Sequence, residues 1–294
     1  MHKTPPISAS ISPQPRPEQS PSLLHPGEPP AFEIYNGDGP TPLVIVSDHA
    51  GRQVPEKLNT LRLAQHHFNN HIAYDIGTDQ ITRQLADRLN APAVIATYSR
   101  LVVDLNRHPN DPDCIPDTSD GIAIPGNRNL DTPQIQQRID DLHGPYHGAI
   151  KRQVHAQWQK NGHPPALFSI HSFTPTLNGH DRAWDIGVLW NRDPRLSAPL
   201  ISHLRQCDGL PETGTPGEGF NVGDNQPYCG REIAYTINTH GGAVGLANCA
   251  VEIRQDHCTT PQNINRWADI LADALRPALA QAGLLDVRRY EAAE

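Results

Sequence analysis

Residues 42–51 read PLVIVSDHAG: four apolar positions in succession at 43–46, then Ser47, Asp48 and His49 ahead of Gly51. A run this short and unbroken suits a strand covered on both faces, which is how the strands of a parallel sheet are used. Gly51 allows the chain to leave the strand end tightly. The same texture recurs in PAVIAT (92–97), RLVVD (100–104), ALFSIH (166–171), DIGVLW (185–190) and NCAVEIR (248–254). Between these runs the apolar spacing changes to three and four. Ile81, Leu85 and Leu89 follow Thr78 and Asp79; Ile135, Ile139, Leu142, Tyr146, Ile150, Val154 and Trp158 follow Pro133. Leu196, Leu200 and Leu204 follow Pro194, and Ile264, Trp267, Leu271, Leu275 and Leu279 follow Pro261. Asp, Thr or Pro at each start is helix-opening chemistry. Strands alternating with helices predict an α/β fold built on a mainly parallel or mixed sheet.

The chain has 294 residues, enough for a full-sized core. Its first 30 residues contain nine prolines and no periodic apolar pattern, which predicts a disordered Pro-rich tail over 1–30 and a single domain over 31–294. No internal repeat interrupts the second segment. The balance of 24 basic against 32 acidic residues, a formal charge of -8, argues against nucleic acid or anionic membrane as a bulk partner. Any anion must be held by a local cluster, so the expected partner is a small molecule. The chain lacks a run of roughly 18 apolar residues and the charged-then-apolar order of a signal peptide, which predicts a cytoplasmic protein. Five cysteines without CxxC spacing read as reduced thiols, while sixteen histidines are many for this length.

In open α/β sheets ligands gather where loops leave the carboxyl ends of strands. Polar residues stand at those ends here: Asp48 and His49 after 43–47, His171 and Ser172 within FSIHSF, and Glu252 and Arg254 within VEIRQD. Arg100, Asp104, Asn106 and Arg107 crowd into SRLVVDLNR, where charges need either each other or a ligand. Asp75 precedes a helix. Two imidazoles and one carboxylate, with a fourth position left to water, suit a catalytic zinc, and His49, Asp75 and His171 could make that set. Glu252 is then the candidate general base. Each residue has a structural alternative: a hydrogen-bonded histidine, a helix-capping Asp75, or ion pairs of Glu252 with Arg254 and of Arg107 with Asp104.

Eight segments, in order, resemble the N-formylglutamate amidohydrolase family, a relative of the zinc carboxypeptidase and aspartoacylase groups. They are SDHAGRQVP (47–55), HIAYDIGTD (71–79), YSRLVVDLNR (98–107), SDGIAIPGN (119–127), FSIHSFTP (168–175), WDIGVLWNRDPR (184–195), GDNQPYCG (223–230) and VEIRQD (251–256). The resemblance implies a three-layer α/β sandwich of the phosphorylase/hydrolase, zinc carboxypeptidase-like type. It also implies zinc-dependent hydrolysis of an N-acyl amino acid, with N-formyl-L-glutamate the namesake substrate, and one zinc or other divalent metal per chain. In the wider group the first metal histidine lies in an HxxE motif. Here Arg52 stands three places after His49, so Asp75 is the best match for the second ligand and His171 for the third. DLNR implies that Asn106 and Arg107 face substrate, and Glu252 matches the catalytic carboxylate. Arg107 or Arg100 would stabilise the oxyanion, Arg100, Asn106 and Arg254 would hold substrate carboxylates, and Asn225 and Tyr228 would close the site. Two other functions remain open: a zinc peptidase or amidase for larger substrates, and a non-catalytic carboxylate-binding protein.

Overall fold

The computed structural model describes residues 22–208 and 219–290. Seven strands form one mixed sheet: β1 (Phe32–Tyr35), β2 (Leu43–Ser47), β3 (Ala93–Ala96), β6 (Ala166–Phe173), β9 (Ile186–Leu189), β10 (Val222–Asp224) and β11 (Asn248–Arg254). Two short hairpins stand apart from it, β4 (Thr118–Ser119) with β5 (Ile122–Ala123), and β7 (Thr176–Leu177) with β8 (His180–Asp181). The helices are α1 (Thr78–Leu89), α2 (Thr132–Arg138), α3 (Gly144–Asn161), α4 (Ser197–Leu204), α5 (Tyr235–His240) and α6 (Pro261–Leu279).

The sheet order is β1-β3-β2-β6-β11-β9-β10. Strands β3, β2, β6 and β11 run parallel, while β1 and the β9–β10 pair oppose them. After β2 the chain crosses to β3 on one side and later returns as β6 on the other. That reversal is a topological switch point, where open α/β sheets leave a crevice at the strand ends.

Alternation along each strand feeds two cores. Leu43 and Ile45 of β2, with Phe168 and Ile170 of β6, pack under α1, α4 and α6. Val44 and Val46, with Leu167, face α3, α5 and the long loops. The sandwich is therefore three-layered, and both faces of the sheet are dry as the unbroken apolar runs require. Trp267, fully buried in α6, stacks on Phe220 at a centroid distance of 4.6 Å. Gly51 sits where a Cβ would lie 2.0 Å from the Thr97 carbonyl oxygen, so only glycine fits beside β3. No helix among the described residues is long and apolar enough to cross a membrane.

Two expectations change. RLVVD (100–104) is not a strand: Leu101, Val102 and Val103 are buried, but in a turn outside the sheet. The expected tail falls partly on residues 1–21, outside the described residues, whereas 22–30 pack on the domain. Leu23 is 2% exposed in the α3-side core, and its N–H donates to Asp141. A short apolar pair, Leu23 and Leu24, outweighs the surrounding prolines there.

Candidate active site

The loop leaving β2 carries His49, the approach to α1 carries Asp75, and β6 carries His171. The Asp75 N–H donates to the His49 carbonyl at 2.8 Å, and the Ser172 N–H donates to Asp75 Oδ2 at 3.3 Å, so the sheet fixes this carboxylate between the two histidines. His171 Nδ1 lies 2.9 Å from Asp75 Oδ2 and His49 Nδ1 3.4 Å from the same oxygen. One ligand atom from each of the three residues falls within 4.8 Å of the others, and all three residues are buried.

The far nitrogen of each imidazole is backed by a carboxylate. Asp104 Oδ1 is 2.7 Å from His49 Nε2, and Asp48 Oδ2 is 3.1 Å from His171 Nε2. Metal-ligating histidines are commonly held this way, because the outer carboxylate fixes the ring and raises its basicity. His49 Nδ1, facing Asp75, is buried without a hydrogen-bond partner. Leaving such an atom unsatisfied costs about 1–3 kcal/mol, a deficit that a cation would remove. Charge points the same way. Asp48, Asp75 and Asp104 all stay ionised although burial works against it: the neighbouring imidazoles, with Arg100 at Asp75 and Asp104, hold Asp48 at about 2 and the other two well below the ordinary carboxylate range. Once both imidazoles give up their protons, as metal binding requires, three anions against the single guanidinium of Arg100 leave a negative excess that suits a divalent ion. The residues fit a metal such as zinc.

Both histidines of this set, without Asp75, line a cavity of about 140 Å³ together with Arg100, Asp104, Asn106, Arg107, Tyr228 and Glu252. Glu252 stands beside His171 in the β11–β6 register, and its Oε2 is buried without a partner. Burial first, then the charge of Asp75, push its carboxyl up to about 7 against the pull of His171 and Arg100. Arg100 donates to Asp104 Oδ2 at 2.9 Å and to Asp75 Oδ1 at 3.3 Å. Arg107 pairs with Asp111 at 3.5 Å and is partly exposed. Asn106 Oδ1 accepts from the Thr236 N–H at 3.0 Å. Tyr228 Oη accepts from Arg182 Nη1 at 2.9 Å.

Two expected residues lie elsewhere. Arg254 ends β11 and turns to Asp256, 2.9 Å away, and to Asp185 at 3.7 Å. It shares a strand face with Glu252, but the strand stops there and acidic neighbours claim it. Asn225 has φ 53° and its Oδ1 accepts from the N–H groups of Trp190 and Gly230, both at 3.0 Å, so it shapes its loop and lines a neighbouring cavity. That loop rests on bare backbone: at Gly187 and Gly223 a Cβ would meet the Gln226 carbonyl oxygen at 2.2 and 2.3 Å.

Sequence reasoning gave no role to Asp48, although it adjoins a proposed ligand, nor to Tyr146 and Thr236, whose hydroxyls donate to Asp48 Oδ1 at 2.9 and 2.8 Å. It also missed a histidine group beneath the 104–107 turn. His147 Nε2 donates to the Leu105 carbonyl at 2.8 Å and His143 Nε2 to that of Arg107 at 3.0 Å. His147 Nδ1 must then accept from His240 Nε2, 2.9 Å away, which fixes the tautomers. Burial keeps all three neutral, His147 down at about 3. His240 thus supports the turn from behind. SDGIAIPGN forms the β4–β5 hairpin, whose Asp120 meets His71 at 3.0 Å.

Residues 41–258 match the family model described as N-formylglutamate amidohydrolase. Among solved structures, the gene product Atu2144 from Agrobacterium tumefaciens is 28% identical, with a TM-score of 0.78 over 88% of this chain and 98% of that one. The N-formylglutamate amidohydrolase from Ralstonia eutropha JMP134 is 18% identical, with a TM-score of 0.63 over 84% and 97%, a likeness of fold. No curated protein matches the chain.

Proposed function

The chain belongs to the N-formylglutamate amidohydrolase family, and from that premise we propose that it removes the acyl group, formyl by preference, from an acidic amino acid such as N-formyl-L-glutamate, with zinc as cofactor. His49 Nδ1, Asp75 Oδ2 and His171 Nδ1 would hold the ion. The observation that carries this reading is His49 Nδ1, which makes no hydrogen bond and faces Asp75 Oδ2 at 3.4 Å, with each imidazole braced by a further carboxylate. Zinc supplies Lewis acidity to a carbonyl oxygen and lowers the pKa of water to about 7.

The chain's own groups do the rest. Glu252, unpaired at one oxygen and poised near neutrality, takes the proton of the attacking water and returns it to the departing nitrogen. Arg107, partly exposed at the cavity, offers a forked donor to a substrate carboxylate or to the developing oxyanion, and Asn106 adds a neutral contact. Arg100 is already committed to Asp75 and Asp104, so only its remaining donors are free for substrate. A cavity of about 140 Å³ favours a single acylated amino acid over a longer peptide. A purely binding role would not need an acid–base group in Glu252's setting.

Metal analysis combined with a hydrolysis screen of N-formyl, N-acetyl and N-succinyl amino acids tests the reading. About one zinc per chain is expected, with hydrolysis of N-formylglutamate, and His171→Ala should lose both metal and turnover. Full turnover by chelator-treated, metal-free protein would overturn it.

A further inference from the structure

Tyr228 and Ile233 belong to two cavities at once. One is the cavity of about 140 Å³ that holds Glu252 and the histidines; the other, of about 550 Å³, is lined by Trp190, Pro227 and Arg231. The smaller lies below the usual range for a ligand site, so a substrate that fits it must be short. The larger is empty volume directly behind its wall.

We propose that Tyr228 is the specificity-determining partition between these cavities, that Arg182 holds it in place, and that the larger cavity is a latent subsite for the second residue of an N-formylated dipeptide. The proposal rests on the amidohydrolase reading above and goes beyond it in assigning the length limit to one side chain. Arg182 follows β8, and its guanidinium lies 4.8 Å from the centroid of the Tyr228 ring and 5.6 Å from that of Phe173. Phe173 is buried at the end of β6, so Arg182 spans from the sheet to the tyrosine. Its Nη1 also donates to Tyr228 Oη. Because Oη accepts that bond, the phenol's own proton is left to donate elsewhere.

The far side offers matching chemistry. Trp190 donates from Nε1 to Asp224 at 2.7 Å, and the Arg231 guanidinium stands 5.9 Å over its ring. An aromatic face beside a guanidinium suits an apolar side chain next to a terminal carboxylate, which in a dipeptide is displaced one residue outward from Arg107. The reaction itself is unchanged. The formyl C–N bond breaks, the water oxygen joins the formyl carbon, and a proton goes to the released nitrogen.

The test compares N-formylglutamate with N-formylglutamyl-phenylalanine on the zinc-loaded enzyme. The wild type should prefer the shorter substrate by about a hundredfold in kcat/KM, and Tyr228→Ala should raise kcat/KM for the dipeptide at least about tenfold, a gain that misfolding cannot produce. Arg182→Ala should move in the same direction by less. Adding Trp190→Ala to Tyr228→Ala should take the gain away, while Trp190→Ala alone leaves N-formylglutamate hydrolysis unchanged. Equal hydrolysis of both substrates by the wild type, or parallel loss on both in Tyr228→Ala, would overturn the partition. Calorimetry with the deacylated products, glutamate and glutamyl-phenylalanine, reads the partition without turnover: Tyr228→Ala should gain affinity for the dipeptide alone, and no gain counts against it. An enzyme that hydrolyses no acyl amino acid yet shows that gain would overturn the functional reading and leave the partition standing.

Discussion

As the proposed base, Glu252 works only when ionised, so its surroundings should set the acid limit of turnover. Burial and Asp75 raise its carboxyl from the ordinary 4.5 to about 7. The rate should therefore fall as pH drops, with an acid limb between those values. Glu252→Gln should lower kcat by about 10²- to 10⁴-fold and remove the limb from the residual rate. A pH–rate profile of wild-type shape in Glu252→Gln would rule this residue out as the base. The grouping of His49, Asp75 and His171 is legible in the sequence because each stands near a strand end or a helix start. Asp48 and Thr236 were not, since their value lies in reaching His171 and Asn106 across sequence separations that no local pattern encodes.

Among elements, the turn over 100–107 brings Arg100, Asp104, Asn106 and Arg107 to the small cavity on irregular backbone. Its apolar run looked like a strand because burial and sheet pairing leave the same signature in Leu101, Val102 and Val103. What replaces the ladder is a set of side chains: Arg138 Nη1 donates to the Val102 carbonyl at 2.8 Å, Asn127 to that of Leu101 at 2.7 Å, and the two histidines to those of Leu105 and Arg107. The apolar spacing over 135–158 is helical in the structure, with a π-helical turn at Ile139–His143 between α2 and α3. The extra residue in that turn changes the facing of everything downstream, including His147. His147→Ala should free the Leu105 carbonyl, speed amide exchange at Asn106 and Arg107, and weaken metal binding about tenfold or more, because Asp104 braces His49 from the same turn. His147→Gln, which keeps a donor at that height, should restore much of both. Unaltered exchange in His147→Ala would show that the turn holds itself.

For the whole molecule, the alternation of strands and helices is sufficient to predict an α/β fold on a mixed sheet, and the layered sandwich is what the family resemblance implies. The antiparallel β9–β10 edge was not legible, because strand direction depends on the path of long connections. Acid–base behaviour is also a global property. In metal-free protein His49 and His171 have raised pKa values, since carboxylates outweigh burial, so their stabilisation is full below about 6.5 and lost as pH rises through the folded values. His143, His147 and His240 are lowered by burial. Their contribution is full above about 6.5 and lost as pH falls toward the folded values, about 3 for His147. Urea unfolding in chelator should therefore show a stability maximum near pH 6.5, and added zinc should help more at higher pH, where protons no longer compete for the same nitrogens. A steady rise from pH 5 to 8 without metal would contradict this assignment.

The bare backbone at Gly187 and Gly223 under Gln226 has a consequence for how such a site can diversify. The elevation of the Tyr228 loop above the sheet is set by two absent methyl groups, so the width of the binding chamber can be adjusted from its foundation. A lineage could retune which substrates enter by lifting the floor, while every side chain that meets the substrate stays as it is.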